Sequence, residues 1–326
     1  MLAACSGGGG TSSNNAAWAV VAQAQPTALL SVSGTSATDV WVVGGDPRDG
    51  TGPVVEHYDG TGWTKLDPGV RNVDLWWVHA FDDGTVLMSG LNGTIVRYQS
   101  GAFTTLTTPG TQVVFGLWGA TSSDIWAVGG NSGGGGGGFA WRFDGTTWTN
   151  DTDVPSAIAT MGTLWKVNGI SADDVWMSGT NGETLHWDGS SLSEVLVADA
   201  QQQQASLFSI AGNSKRFVTV GGAFDGVLYE NAGSGWVSAL PAGGMLLTGV
   251  AVSEDDGFAV GQFGTILRRG DASWAADGEP STQENLHATW IDPSGGAWAV
   301  GGQFDTVPTQ AGVLLHKGDP LKGSFP

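Results

Sequence analysis

An all-β fold of repeated four-strand units is predicted by three observations. A self-similar segment returns seven times, each copy has two strand-and-turn halves, and the composition holds 54 glycines and 16 tryptophans with only 13% charged residues. Such a composition suits short strands, tight turns and aromatic packing. The repeat is clearest in "SGTSATDVWVVGG" (33–45), "WGATSSDIWAVGG" (118–130) and "NGISADDVWMSGT" (168–180). "FDDGTVLMSG" (81–90), "NSKRFVTVGG" (213–222), "SEDDGFAVGQ" (253–262) and "PSGGAWAVGG" (293–302) fill the same slot. Marked at the tryptophan of D-V-W, the copies fall at Trp41, Leu87, Trp126, Trp176, Val218, Phe258 and Trp298, spaced 39 to 50 residues apart.

Each copy continues into a second half: "VVEHYDGTGW" (54–63), "TIVRYQSGAF" (94–103), "FAWRFDGTTW" (139–148), "ETLHWDGSSL" (183–192) and "TILRRGDASW" (265–274). One unit therefore reads as four strands. The first is an apolar run such as "LWWV" (75–78), the second is D-V-W-x-V-G, the third is x-V-x-H-Y, and the fourth begins at the tryptophan after D-G-x-x. D-G pairs are tight-turn signals, and the runs alternate with period two. Four strands in about 40–50 residues is the period of a β-propeller blade. Seven copies predict a seven-bladed propeller of four antiparallel strands per blade.

The seventh copy (286–319) supplies three strands and stops before a D-G-x-x-W. "NNAAWAVVA" (14–22) has the character of the missing strand, with Trp18 in the place of Trp63, Trp148, Trp236 and Trp274. Residues 16–22 are thus expected to complete the last blade and close the ring, removing an open sheet edge. The resulting division is 1–4 as a signal-peptide remnant, 5–15 as a flexible tether, 16–318 as the propeller and 319–326 as a C-terminal tail.

With these residues in view, the D-V-W-x-V-G…D-G-x-x-W unit resembles the tectonin and WD-type repeat families, and the chain is similar to propeller lipoproteins of the bacterial surface. "LAAC" at 2–5 resembles the lipobox of bacterial lipoproteins, and Cys5 is the chain's single cysteine. The "SGGGGTSSNN" that follows has tether composition. The resemblance implies an exported protein anchored at the outer membrane or cell surface through a lipidated Cys5.

The formal charge is −19 with 12 Lys and Arg, so the basic footprint required by nucleic acid or anionic lipid is missing. One cysteine excludes an internal disulfide framework. Membrane contact is expected only through lipidated Cys5, and the chain is expected to be a monomer.

Strand alternation puts the 1–2 and 3–4 loops on one face, and the 2–3 loops and blade linkers on the other. The first set is short and repetitive. The second is long and irregular, with 2–3 loops at 44–52, 129–138 and 301–312 in blades 1, 3 and 7. Long loops on a rigid scaffold are where binding sits, so one working face is expected. The N-terminal strand enters from the opposite face.

First strands line the channel of a propeller. Here they carry no Asp or Glu, and their ionisable groups are His79, Lys166 and His287. That argues against a channel glycosidase, which needs an acid and a base or nucleophile. Asp74 and Glu284 lie just before first strands and remain the candidates for such an acid or base. The Gly run 133–138 is read as a loop, because no G-K-[ST] follows it. No His/Cys spacing suggests a transition metal, and no cofactor is expected. Asp-rich turns at 46–49 and 151–153 could supply calcium ligands or simply be solvated turn acids.

Two side-chain patterns have a functional and a structural reading each. His57, Arg97, Arg142, His186, Arg268 and His316 share one third-strand position. They are either a ring for an acidic ligand or donors to the repeated Asp39, Asp124 and Asp174. Trp76, Trp77, Phe115, Trp165 and His287 fall near the starts of first strands. They form either a ligand-binding group on the working face or inter-blade core.

The sequence as a whole points to a non-catalytic, lipid-anchored surface propeller binding a protein or glycan through its long-loop face. A scaffold subunit of an envelope complex and a polysaccharide hydrolase or lyase with a loop-borne site are the alternatives.

Overall fold

The computed structural model describes residues 16–131 and 135–326. Twenty-eight strands form seven four-stranded antiparallel sheets among these residues. Blade 1 consists of Leu29–Ser36, Asp39–Gly44, Val55–Tyr58 and Trp63–Lys65. The inner strands of blades 2 to 7 are Leu75–Ala80, Val113–Thr121, Leu164–Ser171, Ser206–Asn213, Leu247–Val252 and Leu286–Ile291. Each inner strand packs on the next, and the seventh packs on the first, so the ring is closed. This is the seven-bladed propeller that the repeat predicts.

Ring closure also follows expectation. Blade 7 is ordered Ala19–Gln25, Gln310–Lys317, Ala297–Gln303, Leu286–Ile291, so the N-terminal strand is its outermost member. Ala19 pairs with His316 and Gln25 with Gly312. The strand starts three residues later than the expected 16, with Trp18 directly before it. The chain enters at the short-loop face and reaches the other face at Ala28, whose N–H donates to Thr309 Oγ1. Residues 319–326 fold back over blade 1. Lys322 N–H donates to Tyr58 Oη (3.0 Å), and Phe325 meets Trp63 edge-on at 4.9 Å.

The repeated side chains explain why these residues form blades. In the D-G-T/S hairpins, Asp59, Asp144 and Asp188 each accept two backbone N–H groups through Oδ1. The following Gly60, Gly145 and Gly189 adopt φ of 84°, 91° and 89°. Such Asx turns preset the hairpin before any long-range contact forms. In five blades a Trp stands at the opening of the outer strand, and it packs on the preceding blade. Trp236 stands against Trp176, Trp63 against Trp298 and Trp18 against Phe258.

The third-strand basic residues belong to this scaffold. His57 Nε2 lies 2.8 Å from Asp39 Oδ1 and stacks on Trp41, whose indole N–H donates to the same carboxylate. His186, Asp174 and Trp176 repeat the arrangement. In blades 3 and 6 an arginine takes the histidine's place, pairing with Asp124 or Asp256 across an aromatic ring. In blades 1, 3, 4 and 6 these groups satisfy one another inside the blade, and His316 of blade 7 packs on Trp298, so five of the six belong to the scaffold and form no free basic ring.

Two short α-helices interrupt the all-β pattern among the described residues, Ser156–Met161 and Ala198–Gln202, both in blade linkers. They bury Ile158 and Ala200 against the blades. Tertiary burial rather than propensity sustains helices this short.

Candidate functional site at the mouth of the channel

A cavity of about 450 Å³ opens at the long-loop end of the channel. Its walls arise from one repeated backbone irregularity. In every blade the inner strand carries a β-bulge near its start, and the bulged residues are Leu30, Trp76, Phe115, Trp165, Phe208, Thr248 and His287. All but Leu30 line the cavity.

The glycine that closes D-V-W-x-V-G accounts for the bulge. In all seven blades a Cβ at this glycine would meet the carbonyl that precedes the bulged pair, for example Asp74 O at 2.0 Å from Gly90 and Asn285 O at 2.0 Å from Gly301. The bare glycine lets the strands approach there. The extra residue is displaced toward the axis, since a bulge re-aims its side chain.

The bulge residues form an aromatic ladder. Phe115 lies 5.6 Å from Trp76 and 5.0 Å from Trp165, and Trp165 lies 5.6 Å from Phe208. His287 is 5.5 Å from Trp76 and 4.9 Å from Phe304, which descends from the 2–3 loop of blade 7. Trp76, Trp165 and Phe208 are half-buried, and the indole N–H groups of Trp76 and Trp165 have no hydrogen-bond partner.

The polar side chains of the wall are turned away from the cavity. Bulging strips backbone carbonyls of their strand partners, and buried carbonyls require donors. Lys166 Nζ donates to Phe115 O (2.7 Å), Thr248 Oγ1 to Leu286 O, and His287 Nδ1 to Leu30 O. Lys166 also stands over the face of Trp77 at 4.2 Å. Burial lowers the Lys166 pKa to about 7. Burial, with the Lys166 charge nearby, lowers that of His287 to about 3, so this imidazole is neutral near pH 7. With its proton on Nδ1, its unprotonated nitrogen is Nε2. Asp305 on the rim is the one carboxylate of the cavity wall.

Four of the five residues singled out in the sequence come together here: Trp76, Phe115, Trp165 and His287. Trp77 does not. It faces the neighbouring blade, donates from Nε1 to Leu117 O (2.8 Å) and packs into the inter-blade core. Period-two alternation puts Trp76 and Trp77 on opposite sides, and the bulge decides which enters the channel. Phe208 and Thr248 were missed, although both occupy the register of Trp76.

The loops also divide differently from expectation. Blade 7's loop reaches the cavity through Phe304, Asp305 and Val307. The loop of blade 1 is clasped to its own linker. Arg48 Nη2 pairs with Asp74 at 2.7 Å, Asp46 Oδ2 accepts Asn72 N–H, and Arg71 reaches Gly50 O. Asp46 and Asp74, offered as calcium or acid-base candidates, are buried in this clasp. The loop of blade 3 packs on Ser156–Met161, with Gly137 and Gly138 donating to Ala159 O and Ile158 O. Residues 132–134 of the glycine run lie outside the described residues. Asp151 Oδ1 caps its own turn by accepting Asp153 N–H. Among the described residues no cluster of three or more His, Cys, Asp or Glu could hold a metal. No helix among them is long and apolar enough to cross a membrane.

On the same face the 2–3 loops of blades 5 and 6 carry exposed apolar side chains, and Leu246 of the linker between these blades lines both the cavity and a neighbouring depression that Phe224 and Met245 share. Phe224 is 98% exposed and Phe263 53%, with Met245 (48%) in the linker between them, and Val307 of blade 7 is 87% exposed. Phe224, Phe263 and Phe304 follow "GGA", "GQ" and "GGQ" in three consecutive blades. The sequence therefore held the signal for this apolar crest.

This geometry belongs to the class of seven-bladed β-propellers, and solved structures agree. The chain is similar to a streptogramin B lyase (TM-score 0.69, 13% identity, 94% of this chain and 99% of that one). It is similar to YCF48 bound to D1 peptide (0.68, 13%, 93% and 95%). A third likeness is to the WD40 β-propeller domain of Doa1 (0.67, 12%, 93% and 97%). At such identities the likeness shows the fold alone. No protein-family model and no curated protein sequence matches the chain.

Proposed function

We propose that this chain is a non-catalytic binding protein that receives an apolar segment of a protein partner at the long-loop mouth of its channel. The observation that carries this reading is the orientation of the cavity wall. Six of the seven bulged residues face the cavity, four of them the aromatic rings of Trp76, Phe115, Trp165 and Phe208, while the bonds of Lys166, Thr248 and His287 go to the backbone. A sugar needs several converging polar partners, and this wall offers the Asp305 carboxylate, its two unpartnered indole N–H groups being buried. An apolar side chain needs none, and largely apolar pockets with few polar groups are the usual form of a small binding site. Acid-base chemistry finds little support, because His287 is held neutral with one nitrogen committed to Leu30 O and Lys166 Nζ is committed to Phe115 O. Peptide binding has a precedent in the fold, since YCF48 is seen with D1 peptide.

The same proposal places the protein at the bacterial cell envelope, tethered by lipid on Cys5, which lies outside the described residues. The chain enters its ring at the short-loop face, so such a tether leaves the mouth facing away from the membrane.

The test is to present the full chain to a random peptide display library and to a glycan array in parallel. Selected peptides should lose capture about tenfold on Trp165→Ala, a typical cost for an aromatic anchor. Binding to glycans with no peptide selected, or turnover of a polysaccharide, would overturn the reading.

A further inference from the structure

We propose that the partner segment is cationic, and that it crosses blades 5 to 7 with Phe263 as a dedicated anchor. This rests on the reading above and adds the chemistry of the ligand.

The first observation is a conformational cost at Phe263. The 2–3 turns of blades 2, 4 and 6 share one shape, with the central residue in the left-handed region: Asn92 (φ 59°), Asn181 (φ 56°) and Phe263 (φ 54°). Asn tolerates that region, whereas a bulky side chain there is an outlier. Phe263 recovers little by burial, being 53% exposed. Strain held by an exposed aromatic points to a contact made outside the folded chain.

The second observation is charge. The loops and linkers around this crest (223–225, 239–246, 262–265, 278–285 and 304–309) hold Asp225, Glu279, Glu284 and Asp305, and no Lys or Arg. Asp225, Glu279 and Asp305 are exposed. The chain as a whole carries −19. An apolar crest rimmed only by acids, on a strongly acidic protein, complements Lys or Arg flanking an apolar side chain and repels an acidic peptide.

The test uses peptides selected from the random library on the full chain. Their sequences should be rich in Lys and Arg near an aromatic or large aliphatic residue. The affinity of a fluorescein-labelled selected peptide should fall several-fold from low to moderate salt, as exposed charge pairs are screened. Asp225→Lys with Asp305→Lys should weaken it about tenfold. Phe263→Asn should also weaken it about tenfold while holding or raising the urea midpoint, a combination that a structural role for Phe263 does not give. Peptides selected without basic bias, or undiminished binding by Phe263→Asn, would overturn this inference and leave peptide binding standing. Selection of no peptide at all would overturn both.

Discussion

The ring of Trp18 stands edge-on to that of Phe258, with centroids 5.5 Å apart and planes at 88°. Trp18 comes from the N-terminal end of the chain and Phe258 from blade 6, so this contact locks the last blade to its neighbour. The Trp18 indole N–H also donates to Asp277 Oδ2 (2.8 Å), which Lys317 Nζ meets at 2.9 Å. Truncating a buried Trp costs about 3–5 kcal/mol. Trp18→Ala is therefore expected to lower stability by at least about 3 kcal/mol in urea titrations, although the residue precedes the first repeat. A loss under about 1 kcal/mol would mean the N-terminal strand does not close the ring.

The glycine at the end of the second strand is expected to resist even alanine. At Gly301 a Cβ would lie 2.0 Å from Asn285 O, a backbone atom that cannot rotate aside. Gly301→Ala should cost about 3 kcal/mol, in the range of overpacked cores. Gly62→Ala, where nothing lies within 4 Å of the added Cβ, should cost well under 1 kcal/mol. Equal effects at the two sites would sink the account of the bulge.

Glu56 provides a pH signature. It is 3% exposed, one of its carboxyl oxygens has no partner, and burial raises its pKa to about 7 despite Lys65 nearby. Between its ordinary value of 4.5 and about 7, the folded chain keeps a proton that the unfolded chain has lost. This group's contribution is thus full below pH 4.5 and is lost as pH rises through 7. Glu56→Gln should remove that slope and stabilise the protein at pH 8 by at most about 3 kcal/mol, read from paired urea titrations across pH 4–8.

Lys166 gives the opposite slope. Its pKa falls from 10.5 to about 7 through burial, with the largely neutral His287 close by. Between pH 7 and 10.5 the unfolded chain holds a proton that the folded chain has shed, so stability rises with pH across that window. Its contribution is lost as pH falls through 7. In Lys166→Met the rise should vanish, and the wild-type minus variant difference should climb from pH 7 to 9.5. A flat difference would show that Lys166 keeps its charge in the folded protein.

Much of the fold was legible because a repeat reports its own phase. Seven D-V-W slots counted the blades, and Trp18 in the outer-strand slot revealed the closure. The mouth was legible only in part. A bulge is a backbone event, and period-two alternation around Trp76 and Trp77 leaves open which one faces the axis. Thr248 was passed over because it is not aromatic, although it stands at the same register. Loop length misled at blades 1 and 3. There the extra residues are spent on the Arg48–Asp74 clasp and on packing against Ser156–Met161. The short helices were missed because "SAIATM" and "ADAQQ" are held by Ile158 and Ala200 reaching the core, which no local pattern displays.

The proposed ligand enters at the long-loop mouth beside blades 5 to 7. Amide hydrogen exchange of the full chain, with and without a peptide selected on it, tests this most directly. Added protection is expected in 223–225, 262–265 and 304–309, with none in the short-loop hairpins at 253–256 and 270–273. Protection confined to those short-loop hairpins would contradict it.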